Sequence, residues 1–182
     1  MKKCCFIGHR NVTASAELIK KIDFCIKELI EENGVRIFLF GSRSKFDTLC
    51  HERVTEMQKL YPDIRRIAFV CKSEYACLVG EKENLERIAR EVSKQNVFLQ
   101  EYEEIQKSEK VFNAGKASYV ERNQEMINQS DYCVFFYNSA YFPQRKSLSV
   151  FPKKSGTKTA FDYAVRKQKN RKDLTIINLY EE

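Results

Sequence analysis

Cys4-Cys5-Phe6-Ile7-Gly8-His9-Arg10 is the stretch from which the rest of the chain can be read. Four consecutive apolar residues are too few for a helix and fit a short strand buried on both faces. Gly8 is expected to let the backbone leave the sheet in a conformation that a side chain would forbid. His9 and Arg10 follow at once, at the carboxyl end of a central strand, where open α/β sheets bind their ligands. Arg10 offers a planar fork of donors suited to phosphate or carboxylate oxygens. The plain alternative is a strand followed by a solvated turn. Later segments that end the same way weigh against it.

Downstream, Leu18, Ile19, Ile22, Cys25, Ile26, Leu29 and Ile30 recur at helical spacing, with Thr13 or Ser15 placed to cap the helix. Asn33-Gly34 ends it, Gly34 as a left-handed cap. Val35-Arg36-Ile37-Phe38-Leu39-Phe40 is a second strand, which completes a βαβ unit with parallel strands. Gly41-Ser42-Arg43-Ser44-Lys45-Phe46-Asp47 repeats the opening device of strand, glycine, polar residues and helix. A glycine-serine loop opening a helix presents free N–H groups to an anion. It is neither a Walker loop nor the Gly-x-Gly-x-x-Gly dinucleotide fingerprint. The helix carries Leu49, Cys50, Val54, Met57 and Leu60 inward and stops at Tyr61-Pro62.

A third strand covers residues 64–71, and a charged amphipathic helix is expected over 81–93. Between 95 and 114 the pattern reads as a long loop, with room for a short strand. From Gly115 a helix runs to Ser130, with Tyr119, Arg122 and Asn123 three and four apart on one face near its start. A tyrosine to stack, an arginine for phosphate and an amide for base or ribose make a chemically sensible trio; a solvated face is the competing account. Residues 131–138 form a further strand ending at Asn138. A basic, proline-containing loop leads to Ser155-Gly156-Thr157-Lys158-Thr159 at the start of another helix. Residues 174–179 close the sheet. The fold class is α/β: a Rossmann-like, open, mostly parallel sheet with helices on both faces, in one domain over 1–182.

Bulk composition narrows the partners. The chain has 182 residues, 43% of them hydrophobic, and no apolar run fit to cross a bilayer or to serve as a signal peptide. Its net charge of +7 admits an anionic partner without naming one, since Lys and Arg are mixed with Glu and Asp along the chain. The seven cysteines form no Cys-x-x-Cys pair and share no ligand spacing with His9 or His51. Buried free thiols, no metal site and a reducing cytoplasm are expected, with Cys77 the exception to burial.

Taken together, residues 4–10, Gly-Ser-x-x-x-Phe-Asp-Thr-Leu over 41–49, Tyr-Val-Glu-Arg-Asn-x-x-Met-Ile-x-x-Ser-Asp over 119–131 and Ser-Gly-Thr-Lys-Thr-Ala over 155–160 resemble the SLOG superfamily, in its YpsA-type branch of small bacterial proteins. The resemblance spans almost the whole chain; the first and third motifs are the more specific. It implies a Rossmann-like sheet holding a nucleotide or nucleotide-derived ligand at its strand ends, and relatives among the cytokinin-activating phosphoribohydrolases and the DprA Rossmann domain. Those hydrolases carry Pro-Gly-Gly-x-Gly-Thr-x-x-Glu, whereas here no Pro-Gly-Gly precedes Gly156-Thr157 and the acid position is Ala160.

The expected ligand-binding residues are therefore Gly8, His9, Arg10, Gly41, Ser42, Phe46, Asp47, Tyr119, Arg122, Asn123, Asn138, Ser155, Gly156, Thr157 and Thr159. Arg10 and Arg122 would pair with phosphate, the hydroxyls would donate to it, and Tyr119, Asn123 and Asn138 would face base or ribose. Asp47 would orient Arg10 or accept from a ribose hydroxyl. The expected role is a sensor or regulatory module with a small nucleotide-derived partner, no identified cofactor and no metal. Self-association stays open. Two other readings are a nucleotide-processing hydrolase using His9 or Asp47 as general acid or base, and a single-stranded nucleic-acid binder with a steep salt dependence.

Overall fold

Strand β1 (Lys2–Gly8) buries Cys4, Cys5, Phe6 and Ile7 completely, because helices cover both of its faces. In the computed structural model, which describes residues 1–41, 44–71, 102–108, 116–141 and 155–180, it is followed by α1 (Ala16–Glu31), β2 (Val35–Phe40), α2 (Lys45–Gln58), β3 (Arg65–Val70) and β4 (Glu104–Lys107). Then come α3 (Lys116–Gln129), β5 (Tyr132–Phe136), α4 (Gly156–Asn170) and β6 (Thr175–Asn178). The expected helix over 81–93 lies outside the described residues.

The six strands form one sheet in the order β4-β3-β2-β1-β5-β6, and every pairing is parallel. The chain steps outward from β1 to β4, then returns to the other side of β1 for β5 and β6. That return puts α1 and α2 on one face and α3 and α4 on the other, as right-handed crossovers require. Alternation along β1 serves both layers. Cys4 and Phe6 pack with Ile22, Ile26, Phe38 and Val54 under α1 and α2. Cys5 and Ile7 pack with Leu39, Met126, Phe135 and Ala164 under α3 and α4. The Phe6 ring stacks on Phe38 and Phe40 at 5.9 and 5.4 Å, and each such buried ring contributes about 2 kcal/mol by area alone.

Serine caps start three of the helices: Ser15, Ser44 and Ser155 accept from the backbone N–H of Leu18, Asp47 and Lys158. Gly34, at φ +69°, ends α1 in the left-handed conformation expected of it. Gly8 departs from its expected role. It is the extended last residue of β1 and its φ is not positive. Its missing side chain instead makes room for Phe46, whose ring atoms lie 2.5 Å from where a Cβ would stand. Leu60 also departs. It lies past the end of α2 and is 73% exposed, because the helix stops at Gln58, before that position can turn inward.

The six described cysteines are free and buried, and Cys77 lies outside the described residues. Among the described residues no helix is long and apolar enough to cross a membrane.

Candidate functional site

The order in which strands are added reverses between β1 and β5, so the chain leaves the two strand ends towards opposite faces. A crevice opens where they part, as at the switch points of other parallel α/β sheets. β1 and β5 are in register up to Gly8 opposite Phe136, which brings the next residues of each strand together. The backbone N–H of Asn138 donates to Nε2 of His9 at 2.9 Å. With Nε2 accepting, the neutral His9 ring carries its proton on Nδ1. His9 is only 3% exposed, and burial lowers its pKa from the ordinary value. The donor already at Nε2 works in the same direction, since a protonated Nε2 would oppose it. The Tyr141 ring covers the imidazole at 4.1 Å.

Asn138 is a structural hub. Its Nδ2 donates to the Tyr180 hydroxyl at 2.8 Å, and its Oδ1 accepts from Ala140 N–H at 2.8 Å. The side chain expected to face a base or ribose thus ties the β5 end to the segment after β6. Around this hub is a cleft of about 590 Å³. Buried Val12 and Leu18, with Phe136 and Leu179, give it apolar walls, and exposed Asn11, Thr13 and Ser15 give it a polar rim. Glu17 and Lys21 also line it and pair with each other at 3.2 Å. Arg10 lies next to the cleft in sequence. Its side chain is exposed and makes no hydrogen bond or ion pair among the described residues, while its carbonyl accepts from Lys45 N–H.

A second group gathers at the end of β2. A Cβ on Gly41 would stand 2.6 Å from the Phe69 carbonyl oxygen and 3.2 Å from Cδ of Arg122, so Arg122 lies directly against that glycine. Arg122 is 1% exposed, with its guanidinium 5.1 Å from the Tyr119 ring centre and Nη1 4.0 Å from Sγ of Cys71. Asn123 is 7% exposed and its buried Oδ1 has no hydrogen-bond partner among the described residues. Tyr119 is about half exposed, so the trio grades from surface to interior rather than presenting one solvent face. Phe46 and Asp47 have no exposed surface. Phe46 packs between Gly8 and Phe136, and Asp47 Oδ1 accepts from Gly41 N–H at 3.4 Å. No Asp47–Arg10 bond is present. Ser42 lies outside the described residues.

Known proteins supply no shortcut to the site's chemistry: the chain matches no family model and no curated protein.

The third expected group opens α4. Ser155 Oγ accepts from Lys158 N–H at 3.0 Å and Thr159 Oγ1 donates to the Ser155 carbonyl at 3.2 Å, so both hydroxyls serve the helix itself. Gly156 is exposed, with nothing within 4 Å of where a Cβ would stand, and Thr157 is buried. Ala160 packs in the core beside Ala164, and Asp162 pairs with Lys158 at 3.3 Å. Among the described residues no cluster of His, Cys, Asp and Glu could hold a metal ion.

His9 and Asn138 thus meet at the switch point. Gly41, Asp47, Arg122 and Asn123 assemble separately beside it. The cleft residues Val12, Leu18, Tyr141 and Tyr180 carry no motif, and the signals that mark their region are the strand ends at Gly8-His9 and Asn138.

Proposed function

We propose that the chain binds a nucleotide or nucleotide-derived ligand at the carboxyl edge of its parallel sheet, as a sensor or regulatory module in a reducing cytoplasm. The observation that carries this reading is the cleft beside the His9–Asn138 bond, at the junction where the strand order reverses. Exposed Arg10, next to it in sequence, supplies a cation that makes no hydrogen bond or ion pair among the described residues. The resemblance of residues 4–10 and 119–131 to the SLOG superfamily points to the same ligand class.

Binding without hydrolysis is the expected behaviour, although Glu17 lines the cleft, because that carboxylate is paired with Lys21 at 3.2 Å. Cleavage of a sugar–base bond needs a carboxylate near the developing oxocarbenium ion. The position three past Thr157 is the buried Ala160, and Asp47 is sealed from solvent. Calorimetric titration with the common nucleoside 5′-monophosphates tests binding, and chromatography of the same mixtures after long incubation tests turnover. Binding with recovery of intact nucleotide supports the proposal. No binding, or release of free base that disappears in Asp47→Ala or His9→Ala, refutes it.

A further inference from the structure

We infer that the cleft takes the uncharged half of the ligand, the nucleoside, and leaves the phosphate outside it. This rests on the nucleotide reading above and specifies which end of the molecule the fold grips. Among the described residues the charges that line the cleft are Glu17 and Lys21, which pair with each other at 3.2 Å, so no unpaired cation there meets a phosphate. Its buried walls, Val12 and Leu18, suit a planar apolar face.

The polar groups available there are neutral. His9 lines the cleft with Nε2 already bonded to Asn138, and its Nδ1–H makes no hydrogen bond among the described residues. That N–H is a donor for a carbonyl or ring nitrogen of a base, or for a ribose hydroxyl. The Tyr180 hydroxyl accepts from Asn138 and keeps its own proton to donate. Exposed Arg10 follows His9 in the chain and is absent from the cleft lining, as a phosphate-end contact should be.

Calorimetry with adenosine, guanosine, cytidine and uridine, with their 5′-monophosphates and with inorganic phosphate, tests this on the full chain. At least one nucleoside should bind within about threefold of its own monophosphate, and inorganic phosphate should bind far more weakly than either. Thr13→Trp, at an exposed rim position, should fill the cleft and weaken that nucleoside by at least about tenfold with the melting temperature kept. A monophosphate that binds while its nucleoside is about 100-fold weaker, or that competes with inorganic phosphate alone, overturns this inference and leaves nucleotide binding standing. Unchanged nucleoside affinity in Thr13→Trp also overturns it. If neither nucleosides nor nucleotides bind, both readings fall together.

Discussion

Asn138 and His9, 129 residues apart, are joined by a 2.9 Å hydrogen bond from backbone N–H to imidazole Nε2. The bond fixes the tautomer of the histidine and holds together the two strand ends between which the cleft opens. His9→Phe keeps a ring of similar shape but removes the acceptor, stranding a partly buried N–H. A loss of about 1–3 kcal/mol in chemical denaturation is expected. An unchanged midpoint would show that this bond contributes nothing to stability.

Gly8 and Phe46 set a second expectation. The Phe46 atoms within 2.6 Å of a Gly8 Cβ include its own Cβ, so rotating the ring alone does not clear the clash. Gly8→Ala should therefore cost about 1–3 kcal/mol as an overpacked core. Phe46→Leu in the same chain should recover part of what the alanine costs. Gly156 has open space where a side chain would stand, so Gly156→Ala should be neutral or stabilise by up to about 1 kcal/mol. Equal effects of the two alanines on urea midpoints would contradict this packing.

Acid should destabilise the fold through His51. Burial, and then the Arg66 guanidinium, lower its pKa to about 4, with Glu103 opposing them. Phe40 and Tyr102 enclose the ring at 5.2 and 4.6 Å. Between the unfolded value near 6.5 and the folded value near 4, the unfolded chain binds a proton that the folded chain refuses. Stability should hold above pH 7 and fall by about 3 kcal/mol towards pH 4, with buried His9 adding in the same sense. Denaturation midpoints at several pH values measure it. His51→Phe should flatten the slope, and a slope unchanged by that substitution would remove His51 as its source.

The thiols should be silent in the native state. Burial raises the pKa of Cys4 and Cys50 well above the ordinary value, and that of Cys25 to about 12. Cys5 and Cys133 sit directly across β1 and β5 with sulfurs 3.5 Å apart, a contact between thiols. Intact mass should show no bridges, and an alkylating reagent should modify the six described cysteines, Cys71 included, slowly until the chain is unfolded. Native bridges would contradict both the thiol contact and the proposed reducing compartment.

The strands were legible because parallel strands covered on both faces must be continuously apolar. Val35–Phe40 and Tyr132–Phe136 differ little from their sequence reading. β4, Glu-Ile-Gln-Lys at the sheet edge, has one apolar residue and leaves only the trace expected within 95–114. Strand order was not legible, since the Cys5–Cys133 pairing spans 128 residues and leaves no local mark. The cleft was hidden for the same reason: its walls come from three segments that meet only once β5 lies beside β1 and β6 beside β5. The sequence suggests that Gly8 and Gly41 let the backbone approach a ligand, whereas in the structure they are places where neighbouring atoms need the room. Hydroxyls near a helix start suggest ligand donors, whereas Ser155 and Thr159 spend their bonds on the helix.

The central claim is that a nucleotide occupies the β1–β5 switch point, and a heteronuclear NMR titration of the native chain with nucleoside 5′-monophosphates tests it most directly. Saturable shifts should appear at the backbone amides of His9, Arg10 and Asn138, with Gly34 at the far end of α1 unmoved. Titrations that leave His9 and Asn138 unshifted, or that move residues elsewhere instead, would contradict it.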